Sequence, residues 1–186
     1  MSVILRQPAN LNFLSPLGYK FVINKTPNVD YMVQAVNIPQ VGIGVANQET
    51  PFVTIPRPGD HLKFGPLSIL FKIDENMQNY LELYNWFIGM GFPDSFEQAK
   101  AVYGGTINEQ LSKDLTGQGA YSDAILTVLD SSMQPKTTVT FYNIFPTGLD
   151  QVQFDSRNTT VNYIDCTCTF AYQKFKVDTI SNLTTF

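Results

Sequence analysis

His61 is the only histidine among the 186 residues, which excludes a multi-histidine metal site. A Ser/His/Asp or Cys/His triad would therefore depend on this one imidazole. It lies in Pro58-Gly59-Asp60-His61-Leu62, which reads as a turn leading into a strand, and no placed nucleophile accompanies it. We read it as a turn side chain beside Asp60. Cys166 and Cys168 are two apart in an alternating stretch. That spacing puts them on one face of a strand about 7 Å apart, too far for easy bridging, and no second pair of ligands completes a zinc site. They read as small buried hydrophobes. Gly42-Ile43-Gly44 lacks the third glycine and the following helix of a dinucleotide fingerprint. Asp74 and Glu75 precede a helix start, where the dipole alone favours carboxylates. The aromatic set Tyr80, Tyr84, Trp86 and Phe87 has no interleaved Lys or Arg and reads as core rather than as a base-stacking platform. No catalytic, cofactor-binding or metal-binding residue emerges, so the expectation is a protein that is not an enzyme and needs no cofactor.

Composition bounds the class. Hydrophobic residues make up 44% of the chain and charged residues only 15%. A packed core follows from the first figure, and the second suits a surface that partner subunits cover. The net charge of −4 comes from singly scattered basic residues outnumbered by acidic ones, with no stripe for gripping phosphates. The N-terminal residues lack a signal-peptide pattern, and nowhere do 18 apolar residues run together. Synthesis and retention in a cytoplasm, away from any membrane, are expected.

The elements that position these residues read as mainly β, as one domain over 1–186. Two alternating stretches, Tyr19 to Asn24 and Tyr31 to Ile38, flank Pro27-Asn28 and predict a hairpin over 18–38. Leu67, Ile69, Phe71 and Ile73 share one face of the next clear strand. Asn76 is placed to cap a helix over 77–88, with Tyr80, Leu81, Tyr84 and Phe87 as its core contacts. Residues 89–120 read as a polar, glycine-bearing surface insertion, 1–17 as an N-terminal extension and 178–186 as a C-terminal tail. Strands at 123–130, 136–145 and 148–154 precede a long alternation from Thr160 to Val177. There Ile164, Cys166, Cys168, Phe170 and Tyr172 share one face, and Asp165, Thr167, Thr169 and Gln173 the other.

Two blocks carry a resemblance. The first runs Val33-Gln-Ala-Val-Asn-Ile-Pro-Gln, Ile55-Pro-Arg-Pro-Gly-Asp-His, Leu67 to Asp74-Glu-Asn, and the helix ending in Tyr84-Asn-Trp-Phe. The second runs Thr138-Val-Thr-Phe-Tyr-Asn-Ile-Phe-Pro-Thr, Leu149-Asp-Gln-Val-Gln-Phe-Asp, and Val161 to Tyr172. In that order they resemble the tail-tube family of contractile-tailed bacteriophages. The resemblance implies an antiparallel β-barrel or sandwich with one flanking helix, assembled as six-membered rings stacked into a tube in the virion tail. It also implies sheath and baseplate or neck proteins as partners, and genomic DNA that passes without tight binding. The main tube subunit is the leading reading. A ring that starts or ends the tube, or a type VI secretion tube protein, are the alternatives. In such a ring, Lys20, Val22 and Asn24 with Asp165, Thr167, Thr169 and Gln173 are expected to form the inner wall and the inter-subunit strands, around a neutral or electronegative lumen.

Overall fold

The computed structural model describes residues 12–91, 93–94, 98, 119–157 and 163–179. Among the described residues, the elements run in the order β1 (Tyr19–Ile23), α1 (Pro27–Met32), β2 (Val33–Val36), β3 (Val41–Glu49), β4 (Thr54–Phe64), β5 (Leu67–Lys72), α2 (Gln78–Gly91), β6 (Ser122–Leu129), β7 (Pro135–Leu149), β8 (Asp165–Ala171) and β9 (Lys174–Thr179). All strand pairs are antiparallel. Seven strands make one sheet in the order β1-β6-β7-β8-β5-β2, with β9 also paired to β7, while β3 and β4 pair only with each other.

The alternation in the sequence sets the register. Leu67, Ile69 and Phe71 of β5 stand opposite Phe170, Cys168 and Cys166 of β8, and all six are buried. Phe21 and Ile23 of β1, Ala124 and Leu126 of β6, and Val139, Phe141 and Ile144 of β7 complete the same core with Leu83 and Trp86 of α2. Each Val, Leu, Ile or Phe among them, taken out of water, contributes about 1.5–3 kcal/mol.

Asn143 bends the long strand β7. It adopts a left-handed φ of 53°, a conformation that asparagine tolerates better than most non-glycine residues. Its backbone N–H donates to Asp123 Oδ1 at 2.9 Å and its side-chain amide to Gln173 Oε1 at 2.8 Å. Before the bend β7 pairs with β9, from Thr137↔Thr179 to Tyr142↔Lys174; after it, β7 pairs with β8, from Phe145↔Ala171 to Leu149↔Cys168.

Several expectations are corrected. The separate strand expected over 148–154 does not form: β7 runs on through Leu149, and residues 150–155 carry no strand. The stretch 18–38 is not a hairpin: β1 pairs with β6 and β2 with β5, and Pro27 opens a short helix, where its missing N–H costs nothing. The alternation from Thr160 to Val177 is not one strand. Among the described residues it divides into β8 and β9 on either side of Tyr172 and Gln173, both following the same flank of β7. The core stripe of α2 is rotated from the expected one. Asn79, Leu83, Trp86 and Gly89 are buried, Tyr80 and Phe87 pack beside the core, and Leu81 and Tyr84 are 42% and 46% exposed.

Buried Asn79 explains that rotation. Its side chain donates to Lys72 O at 2.7 Å and accepts from the backbone N–H groups of Tyr80 and Asp74, so it fastens the first turn of α2 to the end of β5. Asn76 has no capping role; the turn closes instead from Met77 N–H to Asp74 O at 2.8 Å, with Met77 at a left-handed φ of 55°. Most of the expected insertion, 89–120, lies outside the described residues, as do most of the extension and the tail. Beside α2, Trp86 Nε1–H donates to Ala120 O at 2.9 Å and Lys25 Nζ donates to Gly119 O.

Candidate assembly surfaces

Among the described residues the seven-stranded sheet curls around the core without being closed by hydrogen bonds. Its terminal strands β1 and β2 each keep one partner, and the β1-α1-β2 connection runs across the gap between them. Asp30 of α1 holds that connection in place, accepting the Ile23 N–H at 2.9 Å. Thr26 precedes the helix but makes no capping bond. Glu82 of α2 takes over, accepting from the Asn28 backbone N–H at 3.2 Å and from its side-chain amide at 2.6 Å. Burial pushes the Asp30 carboxyl up to about 6, with the nearby Glu82 charge adding to the shift and the Ile23 bond and Lys20 opposing it. Glu82 is raised for the same leading reason.

Into this gap opens a cavity of about 690 Å³, lined by Leu17, Tyr19 and Phe21 on one side and by Asp30, Tyr31 and Val33 on the other. Its rim is apolar and uncovered: Leu17 is exposed and Tyr31 is 88% exposed. Soluble monomers rarely leave such patches open, and a contiguous one marks an interaction surface.

The second surface is the β3–β4 hairpin. It is an arm of 9 and 11 residues, so at about 3.3 Å per residue its tip lies roughly 30 Å from its base. At the base Phe64 packs on Tyr172 and Phe175, with ring centroids 6.1 and 5.5 Å away, and Gly65 N–H donates to Gln40 O at 2.9 Å. Midway, Gly59 faces the backbone of Gly44 so closely that a Cβ there would sit 2.8 Å from Gly44 O. Beyond the base the arm leaves the body, and Val41, Ile43, Val45, Val53, Ile55 and Leu62 all stay exposed. Phe52 at the tip is 97% exposed. A turn locked by Thr50, which accepts the Val53 N–H through Oγ1 and donates to Val53 O, presents it outward.

The residues that could have done chemistry are placed by the same framework. His61 is an exposed residue within β4 rather than in a turn. Cys166 and Cys168 are free thiols inside the core. Burial pushes Cys166 up to about 11 and Cys168 higher still, so both are inert thiols. Of the expected inner-wall residues, Lys20, Val22 and Asn24 point away from the core at β1, and Asp165, Thr167 and Thr169 do so on β8. The structure does not bring the two sets together, because β6 and β7 lie between β1 and β8. Asp165 pairs with Lys72 across the β5–β8 ladder at 2.7 Å, and Gln173 is taken up by the β7 bend. The hairpin arm and the β1/β2 gap were not legible as surfaces. The signal for the first was present, since Val41, Ile43 and Val45 alternate before the Thr50-Pro51 turn.

This framework of a curled antiparallel sheet, a flanking helix and a projecting arm is the fold of tube and tube-terminator proteins of contractile injection systems. It superposes on the tube-terminating cap of the anti-feeding prophage with a TM-score of 0.62 at 10% identity, covering 96% of this chain and 99% of that one. The sheath/tube terminator of the extracellular contractile injection system PVC gives a TM-score of 0.58 at 11% identity, over 91% of this chain and 99% of that one. In sequence, the chain is 25% identical over 180 residues to the tail tube terminator protein of Enterobacteria phage T4, covering 94% of this chain and 91% of that protein. No family model matches the chain.

Proposed function

We propose that this chain is a structural subunit of a contractile tail that assembles into a ring and closes the end of the tail tube. The observation that carries this reading is the near full-length relationship to a tail tube terminator protein, 94% of one chain against 91% of the other. The two terminator folds described above agree with it, and the physical surface agrees as well. An arm with seven exposed large apolar residues on or between its strands has no use in a dispersed monomer. The main tube subunit is the competing reading, since a chain of the PVC sheath–tube complex shares the fold at a TM-score of 0.55.

In the proposed ring the subunit touches copies of itself, the last tube ring beneath it, and the sheath or neck beside it. DNA passes through without being held. With a net charge of −4 on each subunit, six copies would bring roughly 24 negative charges to the ring, which opposes phosphate capture. Electron microscopy of the purified protein tests the reading. Single rings that stop growing, and that cap the ends of added tubes, are expected. Long tubes from this protein alone would make it the main tube subunit, and dispersed monomers at high concentration would overturn assembly altogether.

A further inference from the structure

We infer that the tip of the β3–β4 arm of one copy seats in the gap between β1, α1 and β2 of a second copy. The inference rests on the ring-forming reading above and names the two faces that would meet. Donor and acceptor are different surfaces of one chain, so the contact is head-to-tail and must close as a ring or continue as a filament.

Three observations converge on it. The gap is a ready-made acceptor: about 690 Å³, of a size that takes a peptide-sized occupant, with an uncovered apolar rim at Leu17 and Tyr31. Its walls are the flanks of β1 and β2 that pair with no strand among the described residues, and apart from the Ile23 N–H, which Asp30 takes, they offer backbone donors and acceptors to an extended segment. The tip is a ready-made donor: Phe52 and Val53 are exposed on a turn already fixed by Thr50, so little ordering is left to be done on docking.

Charge supplies the third observation. The gap carries one cation and one anion, Lys20 and Asp30, and the tip is flanked by one anion and one cation, Glu49 and Arg57. Among the described residues the side chains of Glu49 and Arg57 make no hydrogen bond or ion pair. Docking that sets Arg57 against Asp30 and Glu49 against Lys20 gives both arm charges a partner, and the half-buried Asp30 carboxylate, which accepts the Ile23 N–H, gains a second cation beside Lys20. Within one chain the tip does not occupy the gap: no residue of the arm lines the cavity, and Phe52 stays 97% exposed.

Cysteine cross-linking tests the contact, since both native thiols are buried. A variant carrying Phe52→Cys and Tyr31→Cys, both at exposed positions, should give a ladder of disulfide-linked oligomers on oxidation. Either single variant should give none above dimer. Arg57→Glu and Asp30→Arg should each weaken association by about tenfold or more, and the two together should restore it. A cross-link confined within one chain would overturn the second-copy assignment. Rings that form normally but never cross-link would overturn the gap as acceptor while leaving the ring reading intact. A wild-type protein that neither forms rings nor caps tubes would remove the ring reading itself, and this inference with it.

Discussion

Asn143 and Gln173 meet side chain to side chain at 2.8 Å, and that contact ties the bend of β7 to the break between β8 and β9. The break falls opposite the one residue of β7 with a left-handed φ. A β-branched residue cannot take that conformation without strain. Asn143→Val should therefore lower stability by about 2–3 kcal/mol in urea unfolding, whereas Asn143→Gly, which keeps the backbone but loses the side-chain bond, should lose about 1 kcal/mol. Equal losses would show that the hydrogen bonds, not the backbone, matter.

Trp86 and Tyr84 lie two residues apart on α2 with opposite fates. Trp86 is 4% exposed, packs 6.1 Å from the Phe170 ring and carries the Lys25 ammonium 5.1 Å above it. Trp86→Ala should cost about 3–5 kcal/mol. Leu81→Ala and Tyr84→Ala should stay within about 0.5 kcal/mol of wild type in the isolated subunit. Thermal melts of the three variants check the orientation of the helix.

Stability should fall as pH rises from about 4 to about 6. The folded Asp30 carboxyl titrates at about 6, above its ordinary value of 3.8, because burial disfavours its charge. The folded state thus holds a proton that the unfolded chain has already released. That contribution is complete below the unfolded value and is lost as pH rises through the folded one. Glu82 is shifted in the same direction and adds to the slope. Asp30→Asn keeps an acceptor for the Ile23 N–H, so it should flatten the profile of urea midpoint against pH without unfolding the protein.

The arm offers a matched pair of glycine substitutions. A Cβ at Gly59 would sit 2.8 Å from Gly44 O, while one at Gly44 meets nothing within 4 Å. Gly59→Ala must push the two strands of the arm apart, yet it touches no core residue. Ring yield should drop by about tenfold with the melting temperature of the body unchanged, and Gly44→Ala should assemble normally. Sedimentation beside a thermal melt separates the two effects.

Much of the β framework was legible because alternation and pairing agree. Leu67, Ile69 and Phe71 were readable as one face, and their partners Phe170, Cys168 and Cys166 as another. What could not be read was set by residues distant in sequence. The division of the last strand pair depends on Asn143, which lies on a different strand. Pro27-Asn28 signals a turn and the first turn of a helix equally well, and a helix of six residues is too short to show its period. The stripe on α2 was misread because a buried polar residue, Asn79, orients it, whereas apolar Leu81 and Tyr84 face outward. The β1/β2 gap was invisible because β1 is positioned by β6, about a hundred residues further along the chain.

The self-pairing of β3 with β4 also sets an order of events in time. Every partner in that hairpin is local, so it can form within about 1–10 μs of the chain becoming free. The body cannot keep pace. Its sheet requires β1 to find β6 and β5 to find β8, contacts of long sequence separation that place folding on the millisecond-to-second scale. During that interval the arm can pair and unpair on an unfinished body, since a lone two-stranded hairpin is only marginally stable, and each time it pairs it displays its apolar tip. Refolding yield should consequently fall steeply with protein concentration, and replacing Phe52 and Val53 by serine should recover it without any change in the final melt.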